Sequence, residues 1–69
     1  MKYIVIELQT AASGSVTNIV TSHDTLQQAE SKYHTVLAAA AVSDLPCHAA
    51  VLMDSEGGFM EARHYEHGE

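Results

Sequence analysis

Apolar and polar residues alternate along residues 2–10, with Ile4, Ile6 and Leu8 on one parity and Tyr3, Val5, Glu7 and Gln9 on the other. A period of two, rich in β-branched side chains, predicts a strand. The small residues Ala11, Ala12, Ser13, Gly14 and Ser15 predict a turn, and residues 16–21 predict a second strand. There Val16, Asn18 and Val20 share one face and Thr17, Ile19 and Thr21 the other. The short connection makes the two strands a hairpin.

The period then lengthens. Asp24 is placed to cap a helix, with Gln27 three residues on to complete a capping box. No helix breaker occurs over residues 25–43, and Leu26, Ala29, Tyr33, Val36, Leu37 and Ala40 gather into one apolar stripe at about 100° per residue. Asp44, Leu45 and Pro46 end the helix, since proline cannot continue it. Cys47–Asp54 predicts a third strand, with Cys47, Ala49, Val51 and Met53 opposed to His48, Ala50 and Leu52. Ser55, Glu56, Gly57 and Gly58 form a hairpin turn, Phe59–Glu66 a fourth strand, and residues 67–69 a loose tail.

The predicted order is ββαββ: an α+β domain in which one helix packs on one face of a four-stranded antiparallel sheet. The sheet's other face then lacks a cover. If Tyr3, Val5, Ala50 and Leu52 point away from the helix, they are too apolar for a fully wet surface. The far side of the helix, with Thr35, Ala38, Ala39 and Val42, is small and smooth where charges are expected. Contiguous apolar surface of this kind marks an interface. The competing reading is that these alanines only raise helix propensity. Size favours self-association, because 69 residues make one small domain whose core is marginal alone.

Charge narrows the partners. Lys2, Lys32 and Arg63 face nine acids, for a net charge of -6. Direct DNA or RNA binding needs a basic stripe that this chain lacks. An acidic surface either attracts a basic partner or simply keeps a small protein soluble. Cys47 is the sole cysteine, so no intrachain disulfide forms, as befits a reducing cytoplasm. Neither a signal peptide nor a membrane span is expected, because Glu7 interrupts the first apolar run and no later run is long enough.

Catalytic and metal chemistry find little support. His23, His34, His48, His64 and His67 form no HxxxH, CxxC or HExxH spacing. His48 and His64 lie on paired strands, where they could approach each other. Cys47 and His48 are strand neighbours and so point to opposite faces, which rules them out as a nucleophile–base pair. Cys47 reads instead as a small buried hydrophobe. Gly57 and Gly58 precede no helix and no lysine, so they are a turn and not a phosphate loop. The expected protein has no metal, no cofactor and no enzymatic activity.

One helical turn, from Glu30 to His34, brings together Lys32, Tyr33 and His34. Lys32 and His34 could hold an anion while Tyr33 stacks on it. The alternative is that Tyr33 is core, Lys32 snorkels and His34 is solvated. Symmetric assembly would repeat such a turn around one pocket.

Residues 28–43, followed by Leu45-Pro46 and His48-Ala49, together with the opening Lys2-Tyr3-Ile4-Val5-Ile6-Glu7, resemble small ββαββ proteins encoded by phages and prophages of Gram-positive bacteria. That resemblance implies a phage-type accessory or anti-defence factor working in the host bacterial cytoplasm. Some proteins of this kind sequester nucleotide immune signals; others are anti-CRISPR-type inhibitors of a host protein. The expectation is a non-enzymatic homo-oligomer that sequesters a small anionic, nucleotide-derived ligand, with Lys32, Tyr33, His34, His48 and Arg63 as the candidate site. The alternative is an acidic inhibitor of a host defence nuclease.

Overall fold

The computed structural model describes residues 2–67. Strands β1 (Tyr3–Thr10) and β2 (Val16–His23) precede helix α1 (Leu26–Ala41), and strands β3 (Cys47–Asp54) and β4 (Phe59–Glu66) follow it. All neighbouring strands are antiparallel, in the spatial order β2-β1-β3-β4. The two hairpins therefore meet through β1 and β3, with Val5 opposite Leu52 and Ile6 opposite Val51. This is the expected ββαββ sheet, with α1 on one face.

The helix covers the odd-numbered face of β1. Val5, Ala50 and Leu52 are buried against Ala29, Tyr33 and Val36, with Tyr3 and Leu37 packed at the margin. The possibility that Tyr3, Val5, Ala50 and Leu52 face away is thus corrected. Ala29, Ala40 and Ala50 are fully enclosed, so the helix backbone approaches the sheet closely at small side chains. The uncovered face is instead the even-numbered side of β1.

Local chemistry fixes the helix ends. Thr25, not Asp24, is the N-cap; its hydroxyl accepts from Gln28 N at 3.2 Å. Asp24 is drawn out of that role by its ion pair with Lys2. The last turn closes through bonds from Val42 N to Ala39 O and Ser43 N to Ala40 O. In the β1–β2 turn Gly14 has φ +92°, a region that glycine enters at no steric cost. His67 is not loose: its N–H donates to Pro46 O at 2.9 Å and its Nε2 to Ala40 O at 2.7 Å. Residues 68 and 69 of the expected tail lie outside the described residues.

Candidate functional site

Of the candidate ligand residues, Tyr33 is 3% exposed and His48 4% exposed, both inside the helix–sheet layer. Burial, joined by the Glu61 carboxylate, pushes the Tyr33 hydroxyl above its ordinary 10.0, with Arg63 pulling the other way. His48 Nε2 donates to Glu7 Oε2 at 2.7 Å, and its Nδ1 has no hydrogen-bond partner among the described residues. Gln9 Nε2 donates to the same carboxylate oxygen at 2.9 Å. The charge of Lys32 also acts on Glu7. A half-buried carboxylate thus sits where the sequence suggests an anion-binding cluster.

The cations do not converge. Lys2 pairs with Asp24 at the start of the helix. Lys32 acts on β1, while Arg63 lies on the outer strand β4, its guanidinium 5.6 Å from the Tyr65 ring centre. His34 is exposed, with its ring edge-on to Tyr33. The histidines stay apart as well. His48 is opposite Tyr65 and His64 opposite Ala49, so His48 and His64 project from opposite faces of the sheet. No group of three or more metal-ligating side chains occurs among the described residues. Cys47 is half-buried on the face opposite the helix, not enclosed as expected.

That uncovered face is the largest unexplained feature. Ile4, Ile6 and Leu8 of β1 lie beside Met53, Val51 and Ala49 of β3. Val16 and Val20 extend the surface across β2, and Ala62 extends it across β4. Phe59 stands opposite Met53 at the irregularity that ends the β3–β4 ladder. Val20 is 57% exposed and Phe59 69%. Among the described strand residues of this face, the ionisable side chains are Cys47, His64 and Glu66, all at its margin. The sequence implies one uncovered sheet face but suggests Tyr3, Val5, Ala50 and Leu52 for it; the parities of β1 and β3 are both apolar, and the helix covers that set and leaves the other bare.

On the helix, Thr35, Ala38, Ala39 and Val42 are exposed as a strip, with Val42 82% exposed. No helix among the described residues is long and apolar enough to cross a membrane. No protein-family model matches the chain, and neither curated proteins nor solved structures provide a match.

Proposed function

We propose that the protein is a non-catalytic protein-association module that works as a homo-oligomer through the uncovered face of its sheet. One observation carries this reading: the centre of one sheet face, built on Ile4, Ile6, Leu8, Val51 and Met53, is apolar and has no covering layer, whereas sheets are stable when both layers of a core are present. A second copy fits that face by size. Four strands of eight residues, at roughly 4.8 Å between strands and 3.3 Å per residue, give a footprint of about 500 Å². Two such faces bury about 1,000 Å², the threshold of a specific interface. Charge agrees: each copy carries -6, and two like-charged copies can meet only where charge is sparse.

Face-to-face pairing leaves both helices outside, so Lys32 and His34 of the two copies do not share a pocket. In the phage setting implied by the sequence resemblance, this supports an anti-defence factor of the host cytoplasm that blocks a protein, in preference to one that sequesters a nucleotide. The outward acids, among them Glu30, Asp44 and Glu61, would meet a basic surface.

Light scattering at micromolar concentration tests the assembly. The unaltered protein should show a multiple of the 7.4 kDa chain mass, and Val51→Lys should halve it while leaving the circular dichroism spectrum unchanged. A 7.4 kDa species for the unaltered protein, or an unchanged mass for Val51→Lys, would refute the reading.

A further inference from the structure

The sheet has two edges, and they differ. Edge β4 carries Glu61, Arg63 and Glu66 and is broken by a register shift opposite Leu52 and Met53. Charges and bulges are the usual protection of an edge against pairing with another chain. Edge β2 has neither. Its sequence VTNIVTSH contains no proline, lysine, arginine or acid, and it pairs with β1 in an unbroken register over eight residues.

The hydrogen-bond parity of β2 follows from the turn. Ala11 N donates to Ser15 O, so the pairs Gln9–Thr17, Glu7–Ile19, Val5–Thr21 and Tyr3–His23 are the bonded ones. The N–H and C=O groups of Val16, Asn18, Val20 and Ser22 therefore point outward from the sheet, with no backbone partner among the described residues.

We infer that β2 pairs antiparallel with β2 of a second copy, about a two-fold axis through Ile19. In this register Val16 faces Ser22 and Asn18 faces Val20. All four outward residues of each copy then bond, which makes about eight inter-copy hydrogen bonds. The two Ile19 side chains meet at the axis as a non-bonded pair, about 4.5 Å apart at Cα. This explains an isoleucine that is 44% exposed on the helix side of the sheet. The absence of charge on β2 lets two acidic copies meet there. The product is a continuous eight-stranded sheet with both helices on the same side. It is a different contact from the face-to-face one, and it stands or falls separately.

Residue-resolved hydrogen exchange on the full chain tests it directly. The amides of Val16, Asn18, Val20 and Ser22 should exchange as slowly as those of β1. In Asn18→Pro the amides of Val16, Val20 and Ser22 should exchange roughly ten-fold faster or more, with the mass halved. Proline at Asn18 removes an outward N–H and so breaks no bond to β1. If Asn18→Pro does not fold, Ile19→Lys serves in its place by setting two like charges against each other at the axis. In Val51→Lys, which disrupts only the open face, the slow exchange should persist. Fast exchange of these four amides in the unaltered protein would overturn the pairing and leave the edge to a strand of another protein. Unchanged mass and slow exchange in Asn18→Pro would overturn it equally.

Discussion

Glu7 and His48, 41 residues apart in sequence, are joined by a 2.7 Å hydrogen bond beneath the helix. The pair bridges β1 and β3 diagonally, since Glu7 lies opposite Ala50 and His48 opposite Gln9. Burial acts to raise the Glu7 pKa. The bonds from Gln9 and His48 and the charges of His48 and Lys32 outweigh it, and the carboxyl titrates below its ordinary 4.5.

Acid should therefore destabilise the fold. A carboxyl with a depressed folded-state pKa contributes stability that is complete above its unfolded value and is lost as pH falls through the folded value. Unfolding midpoints should be flat above about pH 5 and decline below 4.5, and Glu7→Gln should shallow that decline. Asp24 is shifted the same way by Lys2, but that pair is exposed and screened by salt. The Glu7 component is read from thermal melts in high salt. A decline that is equally steep in Glu7→Gln would contradict it.

The same pair explains what the sequence left hidden. Four strands and a helix were legible from periodicity, and β3 and β4 match residue for residue, because alternation needs no knowledge of partners. The face that the helix covers was not legible. Both parities of β1 are apolar, and the covered one includes Glu7 while the bare one has Ile4, Ile6 and Leu8. The choice turns on tertiary facts: Ala50 leaves room for the helix, and His48 compensates the half-buried Glu7 carboxylate. Asp24 was misread for a similar reason, since Lys2 claims it from 22 residues away. Of the candidate site residues, Tyr33 is core, as its place in the apolar stripe allowed, while His48 is drawn inward by the strand parity it shares with Ala50 and Leu52.

Leu52→Ala should cost about 2–5 kcal/mol, because Leu52 is among the largest fully enclosed side chains. Val42→Ala should stay within about 0.5 kcal/mol, because Val42 projects into solvent in the single chain. Urea titration measures both. If Ala39→Glu also lowers the oligomer mass, the strip of Thr35, Ala38, Ala39 and Val42 is a contact in addition to the sheet.

The β3–β4 turn hangs on Asp54. Its Oδ1 accepts from Glu56 N at 2.9 Å and from Gly58 N at 2.7 Å. Asp54→Ala should cost about 1–3 kcal/mol through the two lost charge-assisted bonds. Gly57 has φ +90°, and Gly57→Ala should cost about 1–2 kcal/mol by forcing a side chain into that region. At Gly58, where φ is ordinary, an added Cβ would run into the Asp54 carboxylate. Gly58→Ala should therefore weaken the turn through Asp54, and in an Asp54→Ala background its further cost should shrink. A double-mutant cycle in urea reads this coupling, and strict additivity would disprove it.

The cations decide between the two functional readings. A protein that captures a small anion needs several positive groups converging on it, each charge-assisted bond being worth about 1.5–3 kcal/mol. Here Lys2 is tied to Asp24, Lys32 acts on Glu7, and Arg63 lies over Tyr65 on the far strand. Face-to-face assembly would keep the helices of the two copies apart, so symmetry at that contact supplies no further convergence. Calorimetric titration with cyclic dinucleotides, cyclic oligonucleotides and ADP-ribose derivatives should therefore give no heat, and Lys32→Ala should change only the acid limb of stability, through Glu7. Binding of any of these that is abolished by Lys32→Ala would instead establish capture of a nucleotide signal.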